Sequence, residues 1–151
     1  MNVMVDPNAT RKAWMGLLAK APADDLAQLW AASGLTPDYS VLRAPEIGGV
    51  MVRGRAGAVG APFNLGEMTV TRSSVKLSDG TVGHAYVQGR DKEKARVAAL
   101  VDGLMQTGSA DVVEIQILAP LRKAAATKKT TRSAKAAATK VDFFTMVRGE
   151  D

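Results

Sequence analysis

The chain has 151 residues, no cysteine, 46% hydrophobic and 23% charged residues, and a formal charge of +5. That is one ordinary domain, able to bury roughly 68–70% of its unfolded surface; disulfides, thiolate catalysis and Cys-based zinc sites are excluded. The charge is localised, because residues 122–140 hold seven basic side chains and no acid, whereas the rest holds 13 basic and 15 acidic ones. The first ten residues lack the pattern of a signal peptide, and no apolar run approaches the roughly 18 residues of a membrane span. A cytoplasmic protein is expected.

Asp6-Pro7 fits a helix cap followed by proline at the first helical position. Trp14, Leu17, Leu18 and Ala21 then repeat at helical spacing. A second helix is expected from Pro22, with Asp24 and Asp25 in its first turn, where the macrodipole favours acids. Leu26, Leu29 and Trp30 line one face; Gly34 is placed to end it and Pro37 to prevent resumption. The two make an N-terminal helical hairpin.

Nine of the fourteen glycines lie between positions 48 and 89, interleaved with Val, Thr and Met. YSVLRAP and GGVMVRGR read as two short strands around a turn at Glu46 to Gly49. Met68 and Val70 have the opposite parity to Val75 and Leu77, so a bulge or bend is expected near Arg72 to Ser74. Ser78-Asp79-Gly80 signals a hairpin turn. The return strand puts Val82, His84 and Tyr86 on one side and Ala85 and Val87 on the other. Asp91 can cap the next helix. Val97, Leu100, Val101, Leu104 and Met105 give it the clearest amphipathic pattern in the chain, with Gly108 to end it. VVEIQIL alternates in the manner of a strand.

Residues 122–140 contain AAATK twice and read as a frayed helix or a flexible connector. The last eleven residues, VDFFTMVRGED, carry two of the seven aromatics. Burying side chains such as Phe143 is worth roughly 1.5–3 kcal/mol each, and ordering the backbone costs about 1–2 kcal/mol per residue. The tail therefore reads as a strand-like segment that docks where backbone hydrogen bonds are also made, on its own sheet or on a partner. The partner-interface candidates are Val141, Phe143, Phe144, Met146 and Arg148. The expected fold is α+β: a helical hairpin, an antiparallel sheet of four to five strands, an amphipathic helix and the tail. The expected division is a domain at 1–121, a basic segment at 122–140 and an interface segment at 141–151.

Catalytic chemistry finds little support. The one histidine, His84, is the only base available to a serine nucleophile, and there is no nucleophile-elbow motif. A lone His with scattered carboxylates has no metal-ligand spacing. Gly54 to Gly60 lacks the endings of a phosphate-binding or dinucleotide loop. Arg53, Arg55, Arg72, Lys76 and Arg90 lie in or beside the glycine-rich strands. Of these, Arg72, Lys76 and Arg90 are the candidate phosphate contacts, because guanidinium groups grip phosphate oxygens in pairs. A solvated strand face accounts for them as well. Residues 122–140 could bind nucleic acid in a salt-sensitive way, although no aromatic is interleaved for base stacking. That reading is the alternative to a solvated connector.

TRKAWM (Thr10 to Met15), TRSSVKLSDGTVGHAYVQGRDKEKA (Thr71 to Ala95), ALVDGLMQ (Ala99 to Gln106) and VDFFTMVRGED occur in one collinear order. Together they resemble the PhnG family, small subunits of the bacterial carbon–phosphorus lyase core complex. The resemblance implies a subunit that acts with several others in using phosphonates. That complex joins a phosphonate such as methylphosphonate to ribose C1 of ATP, releasing adenine ahead of C–P cleavage. It further implies that the catalytic centres lie in partners, that this chain binds no cofactor, and that ATP with Mg is a substrate of the complex. No membrane and no specific nucleic acid is implied as partner. The resemblance carries no catalytic residue onto this chain.

Overall fold

The computed structural model describes residues 8–55 and 60–148, with side chains as far as Thr139. The helical hairpin forms as expected, with α1 at Ala9–Lys20 and α2 at Ala23–Ser33. α1 starts from Asn8; the expected Asp6-Pro7 start lies outside the described residues. Pro22 caps α2, Asp24 and Asp25 occupy its first turn, and Gly34 ends it at φ 69, a left-handed conformation that costs glycine little. Leu18 and Leu26 are buried between the helices and the rest of the core, with Trp14, Leu17, Leu29 and Trp30 packed around them.

Among the described residues the sheet has three antiparallel strands in the order β1 (Tyr39–Arg55), β2 (Pro62–Leu77), β3 (Val82–Gln88). This corrects the expected four to five. The two short strands read from sequence are one 17-residue strand, β1. Its register against β2 shifts between Val41 and Arg43 and again between Arg43 and Glu46. Pro45 falls in that second irregularity and on an edge strand, where a missing N–H breaks no ladder bond.

The irregularity expected near Arg72 to Ser74 lies across the ladder, where β1 carries the extra residues opposite Val75 to Arg72, while β2 itself pairs β3 in unbroken register from Val70 to Lys76. The inward positions of β2 are Thr71, Ser73, Val75 and Leu77; Met68 and Val70 belong to the other parity. Two hydroxyl residues hid the alternation from a hydrophobic reading. Both are satisfied, Thr71 Oγ1 donating to Gly89 O at 2.8 Å and Ser73 Oγ to Arg43 O at 3.2 Å. The Ser78–Gly80 turn forms, with Leu77 N donating to Thr81 O at 2.8 Å and Gly80 at φ 92.

α3 (Lys92–Met105) is capped by Asp91, which accepts from Lys94 N at 2.9 Å. It ends at Gln106, two residues before the expected Gly108. α3 is the central element of the core rather than a half-solvated one, since ten of its residues are buried. Its alanines, Ala95, Ala98 and Ala99, lie at or below 1% exposure. β3 approaches so closely that a Cβ at Gly83 would meet Ala99 O at 2.0 Å and Gly103 N at 2.7 Å. Glycine at 83 is thus a requirement of packing.

The segment read as a fifth strand is helical: α4 (Ala110–Val113), a π turn at Glu114–Leu118, then α5 (Ala119–Arg148). Val113, Ile117, Leu118 and Leu121 are buried and Ile115 is exposed, a helical pattern rather than period 2. The tail is corrected in the same way. The backbone is helical through Arg148 rather than strand-like, because each residue added to a formed helix gains a hydrogen bond without a new nucleus. The side chains of Val141, Phe143, Phe144, Met146 and Arg148 lie outside the described ones.

Two elements project from this core. β3 pairs β2 only from Val70 onward, so the paired segments 49–55 and 62–69 form a two-stranded arm with Val50, Met51, Phe63 and Leu65 exposed. α5 buries Leu121 and then exposes every residue from Arg122 to Thr139.

Candidate functional site

α3 and α1 cover one face of the sheet, and the other face is open. Its outward residues come from strand alternation: Arg43 and Glu46 from β1, Arg72 and Ser74 from β2, His84 and Tyr86 from β3. The register places Glu46 beside Arg72, Arg72 beside Tyr86, and Ser74 beside His84. Two shallow cavities of about 290 and 250 Å³ share Arg72 and Tyr86 in their walls.

Both arginines bond the same carboxylate oxygen. Arg72 Nη2 and Nε reach Glu46 Oε2 at 2.9 and 3.1 Å, and Arg43 Nη1 reaches it at 3.1 Å. The guanidinium of Arg72 and, secondarily, that of Arg43 hold the Glu46 carboxyl below its ordinary value. Tyr86 and then Glu46 push Arg72 upward. Two cations around one carboxylate leave a net positive charge, suited to gripping an oxyanion.

Ser74 Oγ and His84 Nδ1 lie 2.8 Å apart. This has the look of a nucleophile and base, yet among the described residues no third group hydrogen-bonds the His84 ring, and His84 is exposed beside a half-buried Ser74. A serine relay needs an oriented imidazole, and this one is not oriented. Among the described residues no group of three or more His, Asp or Glu is placed to hold a metal ion.

Of the three candidate phosphate contacts, only Arg72 enters this cluster, alongside His84. Lys76 shares its face four residues along β2, roughly 13 Å away at about 3.3 Å per residue, and lies beside Ser40 and Val82. Arg90 follows Gly89, beyond the other end of β3. The strands separate the three. The centre of the Gly54–Gly60 loop lies outside the described residues.

A second constellation went unread in the sequence. Asp102 of α3 has no solvent exposure and accepts four hydrogen bonds. Arg11 donates from Nε to Oδ1 at 3.1 Å and from Nη2 to Oδ2 at 2.8 Å. Trp14 Nε1 donates to Oδ1 at 2.8 Å and the His84 backbone N–H to Oδ2 at 2.8 Å. Arg11 and Trp14 sit three apart and so share a helix face. Gln106 Nε2 donates to Val82 O at 3.0 Å, so two α3 side chains occupy the free edge of β3 and blunt it against strand addition. β1 keeps its outer edge unpaired among the described residues. The signal that could have found Asp102 is its place inside the apolar run ALVDGLM, since a carboxylate there needs partners.

The geometry fits a modest anion-gripping face. The family model of phosphonate metabolism protein PhnG matches residues 9–149. The alpha-D-ribose 1-methylphosphonate 5-triphosphate synthase subunit PhnG of Rhizobium meliloti (strain 1021) is 45% identical over 147 residues, 95% of this chain and 92% of that protein.

Proposed function

The chain belongs to the PhnG family, and on that premise we propose that it is an accessory subunit of a phosphonate-processing enzyme complex. The complex couples a phosphonate to the ribose of ATP, with release of adenine, ahead of C–P bond cleavage. The observation that carries this is the near full-length match to a protein named as a synthase subunit. Two features of the fold support it. The described residues hold no oriented nucleophile–base pair, and the β1–β2 arm and α5 expose surface that this chain does not cover. ATP with Mg serves as substrate of the assembly, this chain binding no cofactor of its own, and the partners are the other subunits of the carbon–phosphorus lyase core in the cytoplasm. Among the described residues no helix is long and apolar enough to cross a membrane.

Within that role, residues 1–121 form the body and 122–140 carry the interface segment 141–151 away from it. Val141, Phe143, Phe144, Met146 and Arg148 contact partner subunits, and Arg72, Lys76 and Arg90 are phosphate contacts, Arg72 with support from Arg43. Deleting residues 141–151 is expected to leave the thermal melt of the chain unchanged while abolishing co-purification with the other subunits. Recovery of an intact complex after that truncation would falsify the assignment of the tail. A tagged pull-down from phosphate-starved cells fed methylphosphonate identifies the partners directly.

A further inference from the structure

We infer that the groove between α1 and α5 is a docking site for an acidic amphipathic helix of a partner subunit, an inference that rests on the subunit role proposed above. The two helices splay and leave a cavity of about 520 Å³ floored by Leu17 and Leu121. Gly16 lies in this floor, and a Cβ there would meet nothing within 4 Å. A floor of small and aliphatic residues lets another helix approach to the usual 8–10 Å axial separation.

The rim supplies the charge argument. Lys12 and Lys20 stand on the α1 side, and Lys128 and Arg132 on the α5 side. None of the four pairs with a carboxylate among the described residues, and one acid, Asp25, lines the cavity against them. At about 100° per residue, Lys128, Arg132 and Lys135 fall within roughly 60° of one another, on the Leu121 side of α5. The basic rail therefore continues past the cavity along the exposed helix. From Leu121 to Lys135 is roughly 21 Å, or about four turns. Cations on both sides of an apolar floor select a helix whose apolar stripe is bordered on both sides by Asp or Glu. No aromatic lines the cavity, so a nucleotide base has nothing to stack on.

The absence of cysteine makes the test clean. Gly16→Cys, labelled with benzophenone maleimide and assembled with the other co-expressed subunits, is expected to photocrosslink to one peptide of a partner subunit. That peptide should carry apolar residues at helical spacing flanked by Asp and Glu. The charge reversal Lys12→Glu with Lys128→Glu should lower apparent affinity at least tenfold at physiological salt, whereas Lys123→Glu, outside the groove, should change it less than twofold. Circular-dichroism melts of each variant verify folding. Assembly without a crosslink overturns the groove alone, as does a crosslink to nucleic acid, to nucleotide or to a second copy of this chain. Failure of the unmodified chain to co-purify with any other subunit overturns the subunit role and the groove with it.

Discussion

At the residue scale, Asp102 ties three elements together. Its two oxygens take four donors from α1 and β3, so neither lone-pair set is left unsatisfied in a site without solvent. The value of such a site lies in its completeness, because removing the acceptor leaves an indole N–H, an amide and a guanidinium with lost partners. Arg11 is about one-third exposed and recovers water, which reduces the penalty. Asp102→Ala is expected to cost about 3 kcal/mol, read as a lowered urea midpoint. A change below 1 kcal/mol would show that the cluster is incidental to the fold. Arg11, Trp14, His84 and Asp102 all fall within the motifs that marked the family resemblance. Those motifs thus record a folding constraint at least as much as an activity.

At the element scale, the segment after α4 is the instructive case. Val113, Ile115 and Ile117 share a face in a strand, but in the π turn Ile117 is fully buried while Ile115 is 71% exposed. The two conformations predict opposite mutational patterns. Ile117→Ala should cost about 2–5 kcal/mol and Ile115→Lys less than about 0.5 kcal/mol, both by chemical denaturation. Equal and large losses would restore the strand. α5 shows the complementary behaviour. Its length comes from Ala, Lys and Arg propensity, and Thr127, Thr130, Thr131 and Thr139 return their hydroxyls to the carbonyl four residues back. Its stability past Leu121 is local, which suits a helix that waits for a partner.

At the scale of the whole molecule, exposed ion pairs shape the response to pH. Arg96 holds the Glu93 carboxyl below its ordinary 4.5, and Arg72 with Arg43 does the same for Glu46. A depressed carboxyl contributes stability that is present above the unfolded value and lost as pH falls through the folded one. Lys94 is pushed the other way from a usual paired lysine, because burial lowers it from 10.5; its ammonium donates to Ala19 O at 3.0 Å and Gln88 O at 3.4 Å. For that group the unfolded chain holds the proton more tightly, so stability rises as pH climbs toward 10.5. The melting temperature is therefore expected to fall below about pH 4.5, with Glu93→Gln flattening that limb. Lys94→Met should remove an alkaline rise. A melting temperature independent of pH between 3 and 5 would rule out the carboxylate contribution. The same scale holds the projecting arm and helix, and among the described residues the outer edge of β1 is unpaired.

Where local chemistry suffices, the sequence by itself was decisive. The helical hairpin, the Ser78–Gly80 turn and the Asp91 cap each depend on neighbours a few positions apart, and the family resemblance rests on collinear motifs. Strand number, the inward face of β2, the Asp102 cluster and the company kept by Arg72 depend on what lies across the chain. Thr71 and Ser73 read as polar until Gly89 and Arg43 supply their acceptors; Ile115 reads as core until α2, packed against the π turn, shows which face is closed. Burial and pairing are properties of two surfaces meeting, and a linear pattern contains only one of them.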